Sequence, residues 1–439
     1  MKTQIDSLIH ARWIIPIEPF DTIWENHSLA IDQGRILALL PTTEAHAQYE
    51  SKSNITLNNH AILPGLINAH AHSPMTLFRG MADDLPLMTW LNEHIWPAES
   101  RWLDEEFIRD GSQLAFLEMI RSGTTCFNEN YFYSDISAEV TVAAGLRALV
   151  GSLIINVPTR QAKTVEEYLT KMDDFCQKWR HHPLITPAVH PQGPYTVHDA
   201  ALLQAKAYAD QHNLLMHIHM HETDAEIRQS LQEFNKRPLK RFYDLGLVSE
   251  RLQCVHMTQI NDEDMEILHQ THPQVVTCPE SNLKLVSGFC PVKKLLDAGI
   301  NVAIGTDGAA SNNDLDMFGE MRSASLLGKI VAQNPTAVNA QETLRMATLN
   351  GAKALGLGSI TGSLVPGKAA DIIAIDLSHP NTQPIYNPVS QIVYAANSQQ
   401  VTDVWVAGKQ LYKNGEFLTL DPAAIIAKAD VWKNRIANK

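Results

Sequence analysis

The stretch LLMHIHMHE, residues 214–222, decides how the rest of the chain is read. Leu215, Met216, Ile218 and Met220 give it the apolar character of a buried strand. His217, His219 and His221 share one face of that strand by the period of two, and Glu222 stands at its exit. Strands of this kind, apolar along their length and polar where they end, form the inner wall and active rim of (β/α)8 barrels.

Seven further runs have the same layout: LPGLINAH (63–70), TTCFNE (124–129), LRALVGSLI (146–154), LITPAVHP (184–191), LQCVHMTQ (252–259), VVTCPES (275–281) and NVAIGTDG (301–308). Helical stretches such as EEFIRDGSQLAFLEMIRSG separate them. Eight strand-helix units predict an α/β fold, a TIM-like (β/α)8 barrel over residues 63–362. A doubly wound open sheet has the same alternation, but it leaves one regularity unexplained. His70, His72, His190, His219, His256 and Asp307 all fall at or just beyond the C-terminal ends of their runs.

The two ends of the chain read differently. Residues 1–62 hold SLIHARWIIPI and SLAIDQGRILALL, with Asp32-Gln33-Gly34 as a hairpin signal. Residues 363–439 hold VPGKAADIIAIDL, QIVYAAN and VTDVWVAGKQLYKNGEFL, broken by Gly408 and by Asn414-Gly415. Neither end has enough strands to cover a core, so both are predicted to join in one small composite β-sandwich domain, with the barrel inserted between them.

Composition fits a compact globular protein: 439 residues, 45% hydrophobic and 19% charged. With 35 basic against 48 acidic side chains the formal charge is -13, a field that repels phosphate backbones and anionic lipid. Nucleic acid and membrane are therefore not expected partners; a homo-oligomer is compatible with the sequence. Cys126, Cys176, Cys254, Cys278 and Cys290 are odd in number and include no C-x-x-C pair, so they read as small core residues. MKTQIDSLIHARW has no signal-peptide pattern, and a cytoplasmic location is expected.

His70-Ala71-His72 places two imidazoles on one strand face, about 6.6 Å apart along the chain, where both can meet one cation. Of His217, His219 and His221, at least one is expected to meet metal or solvent, because three core imidazoles would need several buried acceptors. Glu222 reads either as a carboxylate that carries protons beside a metal or as a cap for the helix entered at Thr223; the two roles are compatible. His256 and Asp307 each have an ordinary reading alone, as a hydrogen-bonded histidine and a turn residue before Gly308. Together, four strand ends carrying metal-ligand side chains point to a metal centre.

These residues sit in segments that resemble a known family. LPGLINAHAHSPMTLFRGMADDLPLMTWL, HIHMHET, VHMTQI, CPESNLKL, IGTDGAASNNDLDM and PGKAADIIAID are similar to the amidohydrolase superfamily, and within it to the 5-methylthioadenosine/S-adenosylhomocysteine deaminases. The resemblance implies His70, His72, His219 and Asp307 as ligands of one divalent metal, best matched by Zn2+, with Fe2+ or Mn2+ compatible. It implies Glu222 as proton shuttle and His256 as the histidine that faces the attacking water, with Asp307 sharing in proton handling. The expected reaction is hydrolytic removal of the C6 amino group of a purine nucleoside, a small-molecule substrate, with release of ammonia.

For the substrate, Glu99 matches a carboxylate that accepts from the ribose 2′ and 3′ hydroxyls, Trp90 matches the wall around the 5′ substituent, and Ser311 a residue near the base. Arg160 is a candidate for a homocysteine carboxylate. The family pattern has His two residues before Pro194, where this chain has Gln192, whose amide can still donate to a purine nitrogen. Rival readings are a relative acting on guanine, cytosine or an s-triazine, and a barrel kept only as a scaffold. The P-loop-like run at 362–369 ends in Ala369 and continues as a strand, and the P-C-x-x-C signature of the other zinc deaminases is missing.

Overall fold

The computed structural model describes residues 2–437; Met1 and the last two residues of the predicted C-terminal segment lie outside the described residues. Four strands come first: β1 (Thr3–Ile14), β2 (Trp24–Asp32), β3 (Arg35–Pro41) and β4 (Tyr49–Pro64). Eight shorter ones follow: β5 (Leu66–Ala71), β6 (Thr124–Glu129), β7 (Arg147–Ile154), β8 (Ile185–Pro191), β9 (Met216–Met220), β10 (Leu252–His256), β11 (Gln274–Thr277) and β12 (Val302–Ile304). Each of the eight runs read from the sequence covers one of them, but for Ala71 at the end of β5 and Gln274 at the start of β11. They pair in parallel in chain order from β5 to β12, with helices between.

These strands are apolar almost throughout because both faces are covered, by the barrel interior on one side and by helices on the other. The helix Val165–Trp179 shows how the cover is made. Thr164 caps it by accepting from the Glu167 N–H, and Tyr168, Met172, Phe175, Cys176 and Trp179 form its buried stripe at helical spacing. All five cysteines are free and buried, and burial pushes the Cys126 and Cys254 thiols up to about 12. No helix among the described residues is long and apolar enough to cross a membrane.

The barrel closes where its last strand returns to its first. Among the described residues that closure is one backbone bridge, Ala71 to Asp307, with the Asp307 N–H donating to the His70 carbonyl at 3.0 Å. Asn68 adds side-chain stitching: its Nδ2 donates to Thr306 Oγ1 at 2.7 Å, and its Oδ1 accepts from the Thr306 N–H at 3.0 Å. Gly305 permits this approach, since a Cβ there would lie 2.7 Å from the His70 nitrogen.

The terminal strands form a second sheet, completed by β13 (Ile372–Asp376), β14 (Val401–Val406), β15 (Lys409–Lys413) and β16 (Glu416–Phe417), in the order β16-β15-β14-β13-β4-β1-β2-β3. The two chain ends meet where β13 runs antiparallel to β4, and β4 leads into β5 through Gly65 alone. Gln33-Gly34 and Asn414-Gly415 make two-residue hairpin turns with positive φ at both positions, which suits the twist of the flanking strands. The sheet curls so that Ile9, Leu29, Ile31 and Ile36 share an apolar cluster with Ile372, Ala374 and Trp405.

The C-terminal segment also sends a helix to the barrel. In the helix Pro422–Ala437, Trp432 Nε1 donates to Asp110 Oδ2 at 3.0 Å and Lys428 Nζ to its Oδ1 at 2.7 Å, on the barrel helix Glu105–Arg121. A buried ion pair, Arg147 Nε to Asp371 Oδ2 at 2.7 Å, links the third barrel strand to the second sheet.

Candidate active site

At the C-terminal mouth of the barrel, one ligand atom each from His70, His72, His219 and Asp307 converges, all within 4.8 Å of one another. His70 and His72 come from the end of β5, His219 from β9, and Asp307 from the residue that bridges β12 to β5. Asp307 Oδ1 lies 3.3 Å from His70 Nε2 and 3.1 Å from His72 Nε2, while its Oδ2 accepts from Ser281 Oγ at 2.7 Å and Ser311 Oγ at 2.8 Å. One oxygen is anchored and the other faces the imidazoles.

The imidazoles are oriented by what their far nitrogens touch. His72 Nδ1 donates to the Asn130 carbonyl at 2.5 Å and His219 Nδ1 to the Gln192 carbonyl at 2.6 Å. A carbonyl only accepts, so both rings carry the proton on Nδ1 and turn a bare Nε2 inward. His70 Nδ1 is bonded to His217 Nε2 at 2.8 Å, and the buried His70 Nε2 has no hydrogen-bond partner of its own. Three bare nitrogens and one carboxylate oxygen are a donor set that fits a divalent ion of the zinc type.

Charge is distributed to match. Burial disfavours the Asp307 anion, but His70 and His72 outweigh it and hold the carboxyl well below its ordinary value. Burial lowers His70 to about 4 and takes His219 well below its ordinary value. Burial opposes the His72 cation as well, yet the Asp307 carboxylate more than offsets it and raises that group.

The three histidines of β9 have separate fates. His219 joins the cluster, His217 is buried beneath it, and His221 accepts from the Leu239 N–H at 3.0 Å. Glu222 is released from capping the next helix: Thr223 does that, accepting from the Glu226 N–H, while the Glu226 carboxylate takes the His221 and Glu222 N–H groups at 2.9 and 2.8 Å. The Glu222 carboxyl reaches into the pocket 3.9 Å from His256 Nε2, and burial raises its pKa. His256 is set by Nδ1 on Asn282 Oδ1 at 2.9 Å, which leaves its Nε2 buried and unpartnered. His221, His256 and Asp307 have φ of 55°, 76° and 64°, a left-handed backbone of the kind that concentrates at working sites.

The pocket over these groups is walled by Trp90, Leu91, Ile95, Trp96, Glu99, Tyr131 and Gln192, with Ser311 at its floor. Glu99 accepts from the Tyr131 hydroxyl at 2.6 Å, and burial raises its carboxyl to about 7. Gln192 keeps a buried Oε1 without a partner. Of the site residues read from the sequence, His72, Trp90, Glu99, Gln192, His219, Glu222, His256, Asp307 and Ser311 line this pocket, and His70 is buried behind it in the ligand cluster; Arg160 stands apart, in a second cavity that shares Trp96, Glu99, Phe132 and Gln192 with the first. Sequence reasoning missed Asn130, Tyr131, Asn282 and Gln253, and it named His217 on the β9 face without assigning it a partner. Asn282 lies inside the quoted CPESNLKL, and Asn130 and Tyr131 follow the end of the second barrel strand, so position alone could have nominated them.

Comparisons with known proteins agree with this geometry. Residues 61–411 match the amidohydrolase family. The 5-methylthioadenosine/S-adenosylhomocysteine deaminase of Teredinibacter turnerae is 47% identical over 437 residues, covering 100% of this chain and 99% of the relative. A zinc-bound adenosine deaminase from Xanthomonas campestris superposes with a TM-score of 0.99 at 47% identity, with 100% of both chains covered. Atrazine chlorohydrolase from Arthrobacter aurescens, at 22% identity and a TM-score of 0.91, covers 97% of this chain and shares the fold.

Proposed function

The chain belongs to the amidohydrolase family, and within it to the 5-methylthioadenosine/S-adenosylhomocysteine deaminases, and from that premise we propose that it is a metal-dependent hydrolytic deaminase of adenine nucleosides. It converts the 6-amino group of 5-methylthioadenosine and/or S-adenosylhomocysteine, with adenosine as a further candidate, to the oxo group of the hypoxanthine analogue and releases ammonia. The observation that carries this reading is the meeting, in one pocket, of four ligand atoms, a buried carboxyl at Glu222 and the free Nε2 of His256. His70, His72, His219 and Asp307 would hold a divalent ion of the zinc type, which when bound would supply Lewis acidity to water near neutral pH.

The protein's own groups do the rest. Glu222 takes a proton from the attacking water and passes it to a ring nitrogen, a double duty suited to a carboxyl whose pKa burial has raised. His256 Nε2 faces the oxygen on which charge develops at C6. Asp307, anchored by Ser281 and Ser311, accepts the second proton on its way to the leaving amine. Glu99 receives the ribose hydroxyls, Gln192 offers its amide to the purine, and Trp90 packs beside the 5′ substituent. Arg160 and Lys163 in the adjoining cavity suit a carboxylate on a longer 5′ group.

Ammonia release is the test, measured with the three adenine nucleosides and with guanine, cytosine and an s-triazine. Turnover confined to the nucleosides is expected; turnover confined to one of the other heterocycles would overturn the substrate class. The solved atrazine chlorohydrolase and guanine deaminase are 22% and 21% identical to this chain, a likeness of fold.

A further inference from the structure

Beneath the ligand cluster, a chain of buried hydrogen bonds runs down the barrel interior. His70 Nδ1 meets His217 Nε2 at 2.8 Å, His217 Nδ1 meets Gln253 Oε1 at 2.6 Å, and Gln253 Nε2 meets the Ala354 carbonyl at 2.6 Å. Asn128 Nδ2 donates its two hydrogens to the same Gln253 oxygen at 3.1 Å and to the Ala69 carbonyl at 3.2 Å, and so has none left for His217 Nδ1, which lies 2.9 Å away. His70, Asn128, His217 and Gln253 are all fully buried.

The direction of every bond in this chain follows from its lowest member. The Ala354 carbonyl can only accept, so Gln253 presents its NH2 downward and its oxygen upward. That oxygen accepts, so His217 carries its proton on Nδ1 and offers a lone pair at Nε2. His70 must then carry its proton on Nδ1, and its Nε2 is left with the lone pair that faces Asp307 and the two other imidazoles. Reversing the chain would set the Gln253 and Ala354 oxygens against each other in a buried site, at the cost of two unmade bonds.

We propose that Gln253 and His217 are positioning residues that fix the tautomer of His70, so that one peptide carbonyl at the foot of the barrel sets the metal affinity at its mouth. The inference rests on His70 being a ligand. Buried partners of metal-bound histidines are typically worth about 10- to 100-fold in metal affinity. His190, buried against the His217 ring with both nitrogens unpartnered, contributes packing and no link in the chain.

Zinc affinity, measured by competition with a chromophoric chelator on metal-stripped protein, provides the test. Gln253→Met, near the size of glutamine but with no donor and only a weak thioether acceptor, should lower zinc affinity by about 10-fold or more while the metal-free variant keeps its melting temperature to within a few degrees. Unchanged affinity would overturn the proposal. His70→Ala run beside it separates the two claims: if that variant binds zinc as tightly as the wild type, the ligand assignment fails, whereas loss there with no loss in Gln253→Met sinks the relay alone. Should Gln253→Met not fold, nitrogen-15 histidine spectra of the metal-free wild type decide. A proton on His70 Nδ1 supports the relay, and one on Nε2 refutes it.

Discussion

The two walls of the active-site pocket are built by different means. On the metal side, each side chain stands at the end of a barrel strand and has its far atom tied down, to Asn130, Gln192, His217, Ser281, Ser311 or Asn282. On the substrate side, Trp90, Leu91, Ile95, Trp96 and Glu99 come from a helical excursion after the first strand, outside the barrel, and Glu99 is anchored by Tyr131. Strand ends inherit their positions from the whole barrel. An excursion is held mainly by local packing, which can vary without disturbing the ligands. The difference separates what the chemistry requires from what a given substrate requires.

The largest effect that would test this contrast is at Glu222. Glu222→Gln keeps size and burial but removes the proton carrier, and kcat should fall about 10²- to 10⁴-fold with zinc content unchanged by metal analysis. A wild-type kcat would place the shuttle elsewhere. Gly305→Ala probes the rigidity of the metal side: a methyl 2.7 Å from the His70 nitrogen must push β5 from β12. Zinc affinity should drop about 10-fold or more, since three of the four ligands ride on those two strands. If it does not, the ligand side is more compliant than described.

Arg160→Gln probes the substrate side. Loss of a charge-assisted contact, worth about 1.5–3 kcal/mol, should raise KM for S-adenosylhomocysteine and leave 5-methylthioadenosine nearly untouched. Equal effects on both would remove Arg160 from the carboxylate site.

The smallest effect concerns Tyr131. Tyr131→Phe should raise KM for ribosides a few-fold, in line with about 1 kcal/mol for one hydrogen bond, and spare kcat. Its pH dependence sharpens the point. Glu99 must be ionised to accept from the sugar, and burial holds it at about 7, so kcat/KM should decline as pH falls below that value. The Tyr131 hydroxyl bond favours the carboxylate, so its removal should move the acid limb to higher pH. A limb that stays in place would exclude Glu99 as its source.

The same contrast explains what the sequence could reveal. Eight apolar runs ending in polar residues were enough to specify the barrel, because strand period and strand end are local properties. His70, His72, His219 and Asp307 were legible for the same reason. The fate of His217 was not: its partners Gln253 and Ala354 lie far along the chain, and no spacing rule connects them. Thr223 as the true helix cap, and hence the freedom of Glu222, needed the actual hydrogen bonds. Glu99 came from family resemblance, since a glutamate on an irregular helical segment carries no local sign of burial. Neither did the C-terminal helix reveal from its sequence alone that Trp432 would dock on Asp110.

The seam where β12 returns to β5 gives the ion a second task. Two of its four holders sit on one lip of that seam and a third on the other, so an occupied centre works as a clasp between the opening and closing staves of the barrel. Binding to the folded form alone tightens the structure in proportion to the logarithm of zinc concentration. Exchange of the Asp307 amide hydrogen, the backbone bond across the lips, should therefore slow as zinc is added. A cell short of this metal would lose the catalyst and loosen its container in a single event.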